Sequence, residues 1–194
     1  MRNQTVQQGF LTTEELDALG LRSRGTNVRI GRLARLYRPE RMAIGDDVRI
    51  DDFVTLTPGP DGFIRIGAYV HIAAYSMVES SRCVTFEDFS GLAARVTVYG
   101  ASDDYGGEFL TNPCVPLEHR SIHQADVYLG KHAVVGTNSV ILPGAQIGEG
   151  CAVGAMSLVK GVLEPFGVYV GVPVKRIKER SRELLERERK VRGQ

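Results

Sequence analysis

The sequence predicts an all-β solenoid, a chain that winds short strands into stacked coils, and three observations predict it. From Leu129 an aliphatic residue returns every six positions, at Val135, Ile141, Ile147, Val153 and Val159, in one unbroken register. Glycine often follows it, at Gly130, Gly136, Gly148 and Gly154. The fifth place of each hexad is small, at Ala133, Ser139, Ala145, Cys151 and Ser157. A period of six suits neither an α-helix, which needs about 3.6, nor a half-buried strand, which needs 2. It suits coils stacked about 4.8 Å apart, in which each aliphatic side chain rests on its counterpart in the next coil and no single strand is stable alone. A glycine-rich β-sandwich is the alternative, but it predicts alternation and leaves six in-phase positions unexplained.

Taken in chain order, residues 1 to 27 precede the repeat. Thr12 followed by Glu15 is a capping-box pattern and Gly20 can end a helix, so TTEELDALG predicts a short helical cap over the open end of the solenoid. The repeat then spans 28 to 173, its upstream pieces being Ile30 and Leu36; Ile44, Ile50 and Leu56; Ile66, Ile72 and Val78; and Phe86, Leu92 and Val98. Their fifth places include Val48, Val54, Val70, Ser76, Ser90 and Val96. PGPDG at 58 to 62 reads as a turn. Residues 99 to 126, YGASDDYGGEFLTNPCVPLEHRSIHQAD, are too long for a simple connection and too polar for core, so they are expected to project from the coils as a long loop and line a site. Residues 174 to 194 are rich in helix formers, with Ile177, Leu184 and Leu185 as a thin apolar stripe, and predict a C-terminal α-helix covering the last coil. No domain boundary is required.

Composition narrows the partners. A formal net charge of +1 gives no electrostatic footprint for nucleic acid. No run approaches the roughly 20 apolar residues of a membrane helix, and MRNQTVQQGF lacks the apolar stretch of a secretory leader, so a cytoplasmic protein is expected. Cys83, Cys114 and Cys151 are an odd number without metal-ligand spacing, which argues for reduced thiols and against a structural zinc site.

The chemistry-bearing residues cluster in three places. The loop carries Asp103, Asp104, Tyr105, Glu108, His119 and His123. His71 stands immediately before the inward Ile72, so strand alternation turns its imidazole outward, where it serves either as an interface filler or as an acid/base group. Tyr69, Val70 and Tyr75 are expected on the same outer surface. His132 occupies a turn position and is expected to be exposed. His119 and His123 are four apart and make a metal pair only on a helix.

The stretches IGDDVRIDDF, YVHIAAYS, YGASDDYGGEFLTNP and VYVGVPVKRIKERS make the chain resemble the hexapeptide-repeat acyltransferases, and within them the enzymes that acylate a nucleotide-linked 4-amino-4,6-dideoxyhexose in viosamine or anthrose biosynthesis. The resemblance implies a left-handed parallel β-helix, a homotrimer with sites between prisms, and an acyl-CoA co-substrate without a metal. It implies cofactor-binding positions at Gly136, Ala155, Lys160, Pro173, Lys175 and Arg176, the last two supplying charge for phosphates. It also implies substrate contacts from Tyr75, Glu79, Tyr105 and Glu108, with His71, Asp103 and Asp104 as the catalytic candidates. An amine near its pKa attacks from its neutral fraction, so carboxylates that hold it suffice where a hydroxyl demands a base. The chain departs from the family in one place, carrying Ala93 and Ala94 where relatives often have hydroxyl residues before the arginine. Three other readings remain: a saccharide O-acetyltransferase with His71 as base, a zinc hydratase like the γ-type carbonic anhydrases that share this solenoid, and a non-enzymatic scaffold. The scaffold does not require the acidic loop and the VKRIK tail together.

Overall fold

The computed structural model describes residues 9–193. Strands of two to six residues follow one another around three faces, forming parallel sheets of seven strands on the first face, seven on the second plus one antiparallel addition, and six on the third. Each coil advances the chain to the strand directly above: Arg49–Ile50 pairs with His71–Ile72, which pairs with Gly91–Leu92, which pairs with Val134–Val135. The hexad's first residue points inward at every level, so Ile30, Ile50, Ile72, Leu92, Val135 and Val153 form one buried ladder. The small fifth residues are buried beside them, among them Val48, Val70, Ala133, Ala145 and Cys151. Shortening one rung, as in Ile147→Ala, opens a cavity between fully packed coils and costs about 2 to 5 kcal/mol.

The fourth place of the hexad makes the corners. Asn27, Asp47, Tyr69, Phe89 and His132 turn the chain from the first face to the second, and Phe53, Tyr75, Arg95, Asn138 and Met156 from the second to the third, all with φ between 51° and 64°. This left-handed conformation is costly for residues other than glycine, asparagine and aspartate. Stacking from coil to coil offsets that cost: Tyr69 lies on Phe89 at 4.6 Å, Phe89 on His132 at 5.0 Å, and Phe53 on Tyr75 at 4.8 Å. The glycine at the second place has a different cause. A Cβ on Gly136 would stand 2.5 Å from the backbone nitrogen of Ala155, so the next coil leaves no room for a side chain.

The N-terminal helix spans Thr13–Ala18 with both bonds of the Thr12/Glu15 capping box formed, and Leu16 is buried against the solenoid. Residues 1–8 of the expected cap lie outside the described residues. The repeat begins earlier than expected, because Ser23–Arg24 already pairs with Ala43–Ile44. Three further expectations are corrected. Residues 174 to 179 are a strand, Val174–Glu179, which folds back antiparallel on Gly167–Gly171, and the helix starts only at Glu183. The turn at Val172 and Pro173 lets the chain return along the last coil and pair its backbone there, which outweighs helix propensity. Val70 is buried, since as a fifth-place residue it faces inward. His132 is only 7% exposed, because the helix Glu183–Val191 covers its corner.

Candidate active site

Outward residues on the second face run Arg29, Arg49, His71, Gly91, Val134, Ala152 and Val168 along the stack, charged at the N-terminal end and apolar or small beyond His71. The His71 imidazole is half exposed, with Nε2 2.9 Å from Asp51 Oδ2. Asp51 is the second-place residue of the coil below, where many hexads have glycine, so its carboxylate leans over the same face. Its other oxygen accepts a hydrogen bond from Arg49 Nε at 2.6 Å. Burial alone would raise the Asp51 carboxyl, but the bonds from His71 and Arg49 outweigh it and hold it below its ordinary range. An ionised carboxylate only accepts, so in the neutral imidazole Nε2 carries the proton and Nδ1 keeps the lone pair. Beside this dyad lies an open groove of about 500 Å³, walled by Ala73, Gly91, Ala93 and Ala94 and reaching Val134 and Gly136. The groove brings together His71 and Gly136, and its alanines and glycines leave the backbone accessible to an extended ligand.

The loop is not structureless. Ala101–Asp103 pairs antiparallel with Ile122–Gln124 to make a hairpin stem, and a 3₁₀ turn at Leu117–His119 folds part of its tip. His119 closes that turn while His123 lies on the strand, so the two never share a helix face. Asp103 and the exposed Tyr105 line a cleft of about 540 Å³ together with Tyr99, Ser102, Leu142 and Leu158. Asp104, between Asp103 and Tyr105 in the chain, is not part of that lining. Its oxygens accept the backbone N–H groups of Phe109 at 2.8 Å and Gly106 at 2.7 Å, and these bonds hold its carboxyl below the usual range. It is occupied in the loop's own turn.

Glu79 is likewise occupied, accepting from Gly100 N at 2.8 Å and Ser81 Oγ at 2.7 Å at the foot of the loop. Glu108 lines a separate, smaller cleft at the tip with Glu118 and His119. Tyr75 is half exposed at its corner, with the Arg95 guanidinium 5.3 Å from its ring centre. The cleft lined by Asp103 and the groove lined by His71 are different ones, on different faces of the coils.

At the far end, Lys175 and Arg176 extend along the antiparallel strand rather than a helix start, and Arg176 donates to Glu179 at 2.6 Å. Ala155 and Lys160 are exposed on the last coils. Two residues that sequence reading missed are Asp51 and Arg120. A non-glycine second place next to a histidine one coil on was a usable signal for Asp51. Arg120 had none, since only the hairpin register brings it to Asp103.

Stacked hexads make this a hexapeptide-repeat protein, and the relatives it resembles are transferases. A family model described as bacterial transferase hexapeptide (six repeats) matches residues 126–161. The dTDP-4-amino-4,6-dideoxy-D-glucose acyltransferase of Escherichia coli is 41% identical over 92% of this chain and 93% of its own length. The chain belongs to this family of hexapeptide-repeat sugar acyltransferases. AntD, an N-acyltransferase from Bacillus cereus crystallised with dTDP and 3-hydroxybutyryl-CoA, superposes with a TM-score of 0.92 at 41% identity, covering 96% of this chain and 97% of AntD. Another relative is the putative lipopolysaccharide biosynthesis O-acetyl transferase WbbJ of Escherichia coli K12, 30% identical over 74% of this chain and 71% of its own length.

Proposed function

We infer that this chain is an acyl-CoA-dependent N-acyltransferase that acts on the 4-amino group of a dTDP-linked 4-amino-4,6-dideoxy sugar. The observation that carries the reading is near-full-length likeness, in sequence and in fold, to enzymes named for that substrate. AntD has also been crystallised, as a serine variant, with dTDP-4-amino-4,6-dideoxyglucose and coenzyme A. In the reaction the neutral amine attacks the thioester carbonyl carbon, the C–S bond breaks, and the proton lost by nitrogen ends on the thiol of coenzyme A.

In this reading acyl-CoA lies along the groove from Gly136 toward His71, with Ala155 beside it and Lys160, Pro173, Lys175 and Arg176 at its phosphate end. Asp103 accepts a hydrogen bond from the sugar's neutral amine, and Tyr105 and Tyr75 flank the sugar nucleotide. Glu79 and Asp104 support the loop rather than touch substrate, since both already spend their oxygens on backbone and hydroxyl donors, and Glu108 stands apart at the tip of the loop. Because the His71 groove and the Asp103 cleft are on different faces, a complete site needs the groove of one prism and the loop of its neighbour, which supports the homotrimer that the family resemblance implies. Among the described residues no helix is long and apolar enough to cross a membrane. The proposed setting is the cytoplasm, where acylated nucleotide sugars are made for cell-surface glycans such as lipopolysaccharide O-antigen.

The test is thiol release with dTDP-4-amino-4,6-dideoxyglucose as acceptor and acetyl-CoA or 3-hydroxybutyryl-CoA as donor. Turnover with the amine and none with the 4-hydroxy sugar supports the reading. One observation favours a second reading: the His71–Asp51 pair leaves Nδ1 free to take a proton, which suits a saccharide O-acetyltransferase. Turnover confined to hydroxyl acceptors would establish it instead.

A further inference from the structure

We propose that Arg120 is a positioning residue for Asp103, holding that carboxylate at the edge of its cleft for the sugar amine; the inference rests on the role given to Asp103 above. The hairpin stem pairs Asp103 with Ile122. Arg120 stands two residues before Ile122, hence on the same side of the hairpin and diagonal to Asp103. Its side chain is only 11% exposed, and Nη2 lies 3.7 Å from Asp103 Oδ1, within reach of the charge but beyond a direct hydrogen bond. Nε is buried with no partner. The opposite oxygen, Oδ2, accepts the backbone N–H of Asn112 at 3.3 Å.

The carboxylate therefore has a backbone N–H at one oxygen and a guanidinium near the other, while the residue itself lines the cleft shared with Tyr105, Leu142 and Leu158. A buried guanidinium with an unused donor is a poor device for stability alone, because its desolvation is not repaid by hydrogen bonds. What it supplies is a fixed positive charge that keeps one carboxylate in one place. A carboxylate so held can accept a hydrogen bond from the amine without first being ordered, a proximity effect that appears in both affinity and turnover.

The experiment measures Arg120→Gln and Arg120→Lys, each alone and combined with Asp103→Asn, in steady-state kinetics with dTDP-4-amino-4,6-dideoxyglucose and acyl-CoA. Calorimetry with dTDP, which lacks the sugar amine, runs beside it. Arg120→Gln is expected to raise KM for the amino sugar about tenfold while the acyl-CoA KM and the dTDP Kd stay within about twofold. Arg120→Lys should recover part of the loss, because it keeps the charge without the planar fork. In the Asp103→Asn background, Arg120→Gln should add less than about a further twofold.

The inference is overturned if the full Arg120→Gln effect persists without the Asp103 carboxylate, or if dTDP and acyl-CoA weaken equally, since Arg120 then serves only the loop's fold. If Asp103→Asn is impaired and Arg120→Gln is not, the Arg120 inference alone fails. If Asp103→Asn leaves the kinetics unchanged, the role of Asp103 fails first and Arg120 with it. Should Arg120→Gln not fold, the Arg120→Lys pair with and without Asp103→Asn carries the same comparison.

Discussion

Replacing His71 with asparagine separates amine from hydroxyl chemistry, and the structure says the variant will be interpretable. The imidazole is half exposed and touches one partner, Asp51, through Nε2 at 2.9 Å. An asparagine amide can still donate toward that carboxylate, and a pair this exposed is worth about 1 kcal/mol or less, so the fold should survive. The effect on catalysis depends on the acceptor. A hydroxyl needs its proton taken in the transition state, and loss of a positioned base costs about a hundredfold to ten-thousandfold. An amine that enters neutral needs only to be held against the thioester, a contribution assigned here to Asp103 and the groove.

His71→Asn is therefore expected to lower kcat/KM for dTDP-4-amino-4,6-dideoxyglucose by about tenfold or less, while Asp103→Asn does at least as much harm. Wild-type activity on the amine should rise with pH as the free base accumulates. The assay is thiol release across pH 6 to 9, roughly the range over which such an amine titrates, with circular dichroism to show that each variant is folded. A folded His71→Asn protein with no activity, from a wild type that acylates only the 4-hydroxy sugar, would refute the reasoning and make His71 the base of an O-acetyltransferase.

Arg176→Ala should raise KM for acyl-CoA by about tenfold to a hundredfold with little change for the sugar nucleotide, the cost of one charge-assisted hydrogen bond of about 1.5 to 3 kcal/mol; equal weakening of both substrates would point to the fold of the last strand. The C-terminal helix should depend on Glu188, which is 8% exposed and meets Lys131 at 2.6 Å, His132 at 2.8 Å and Arg192 at 2.7 Å. Burial would raise its pKa, but those hydrogen bonds bring it down from 4.5 to about 2. The contribution is thus complete above the unfolded value near 4.5 and is lost as pH falls toward 2. Allowing for the partly exposed Lys131 and Arg192, it is on the order of 1 to 3 kcal/mol. Glu188→Gln should lower Tm at pH 7 and have a much smaller effect near pH 2, read by thermal melts; an equal loss at both pH values would contradict the ion cluster. Light scattering at micromolar concentration should give the mass of three chains, and a monomer would remove both the trimer and the site shared between prisms.

The six-residue period was fully legible in the sequence, because every coil must bury the same kind of side chain at the same place. Ile50, Ile72, Leu92 and Val135 satisfy one local rule that packing repeats at each level. The capping box at Thr12 and Glu15 was legible for a similar reason, since its partners are three residues apart. The left-handed fourth place was visible only faintly, in Asn138, Gly144 and Gly150, because tyrosine, phenylalanine and histidine there are tolerated through stacking on the coil above rather than through their own preferences. Tertiary structure alone decided which polar atoms meet. Asp51 reaches His71 across one coil, Glu188 reaches His132 across 56 positions, and Arg120 reaches Asp103 only through the register of a hairpin inside the loop. Helix propensity misread Val174–Glu179 for the same reason: an open sheet edge offered that segment backbone partners, and a local rule does not register an edge built by residues far back in the chain.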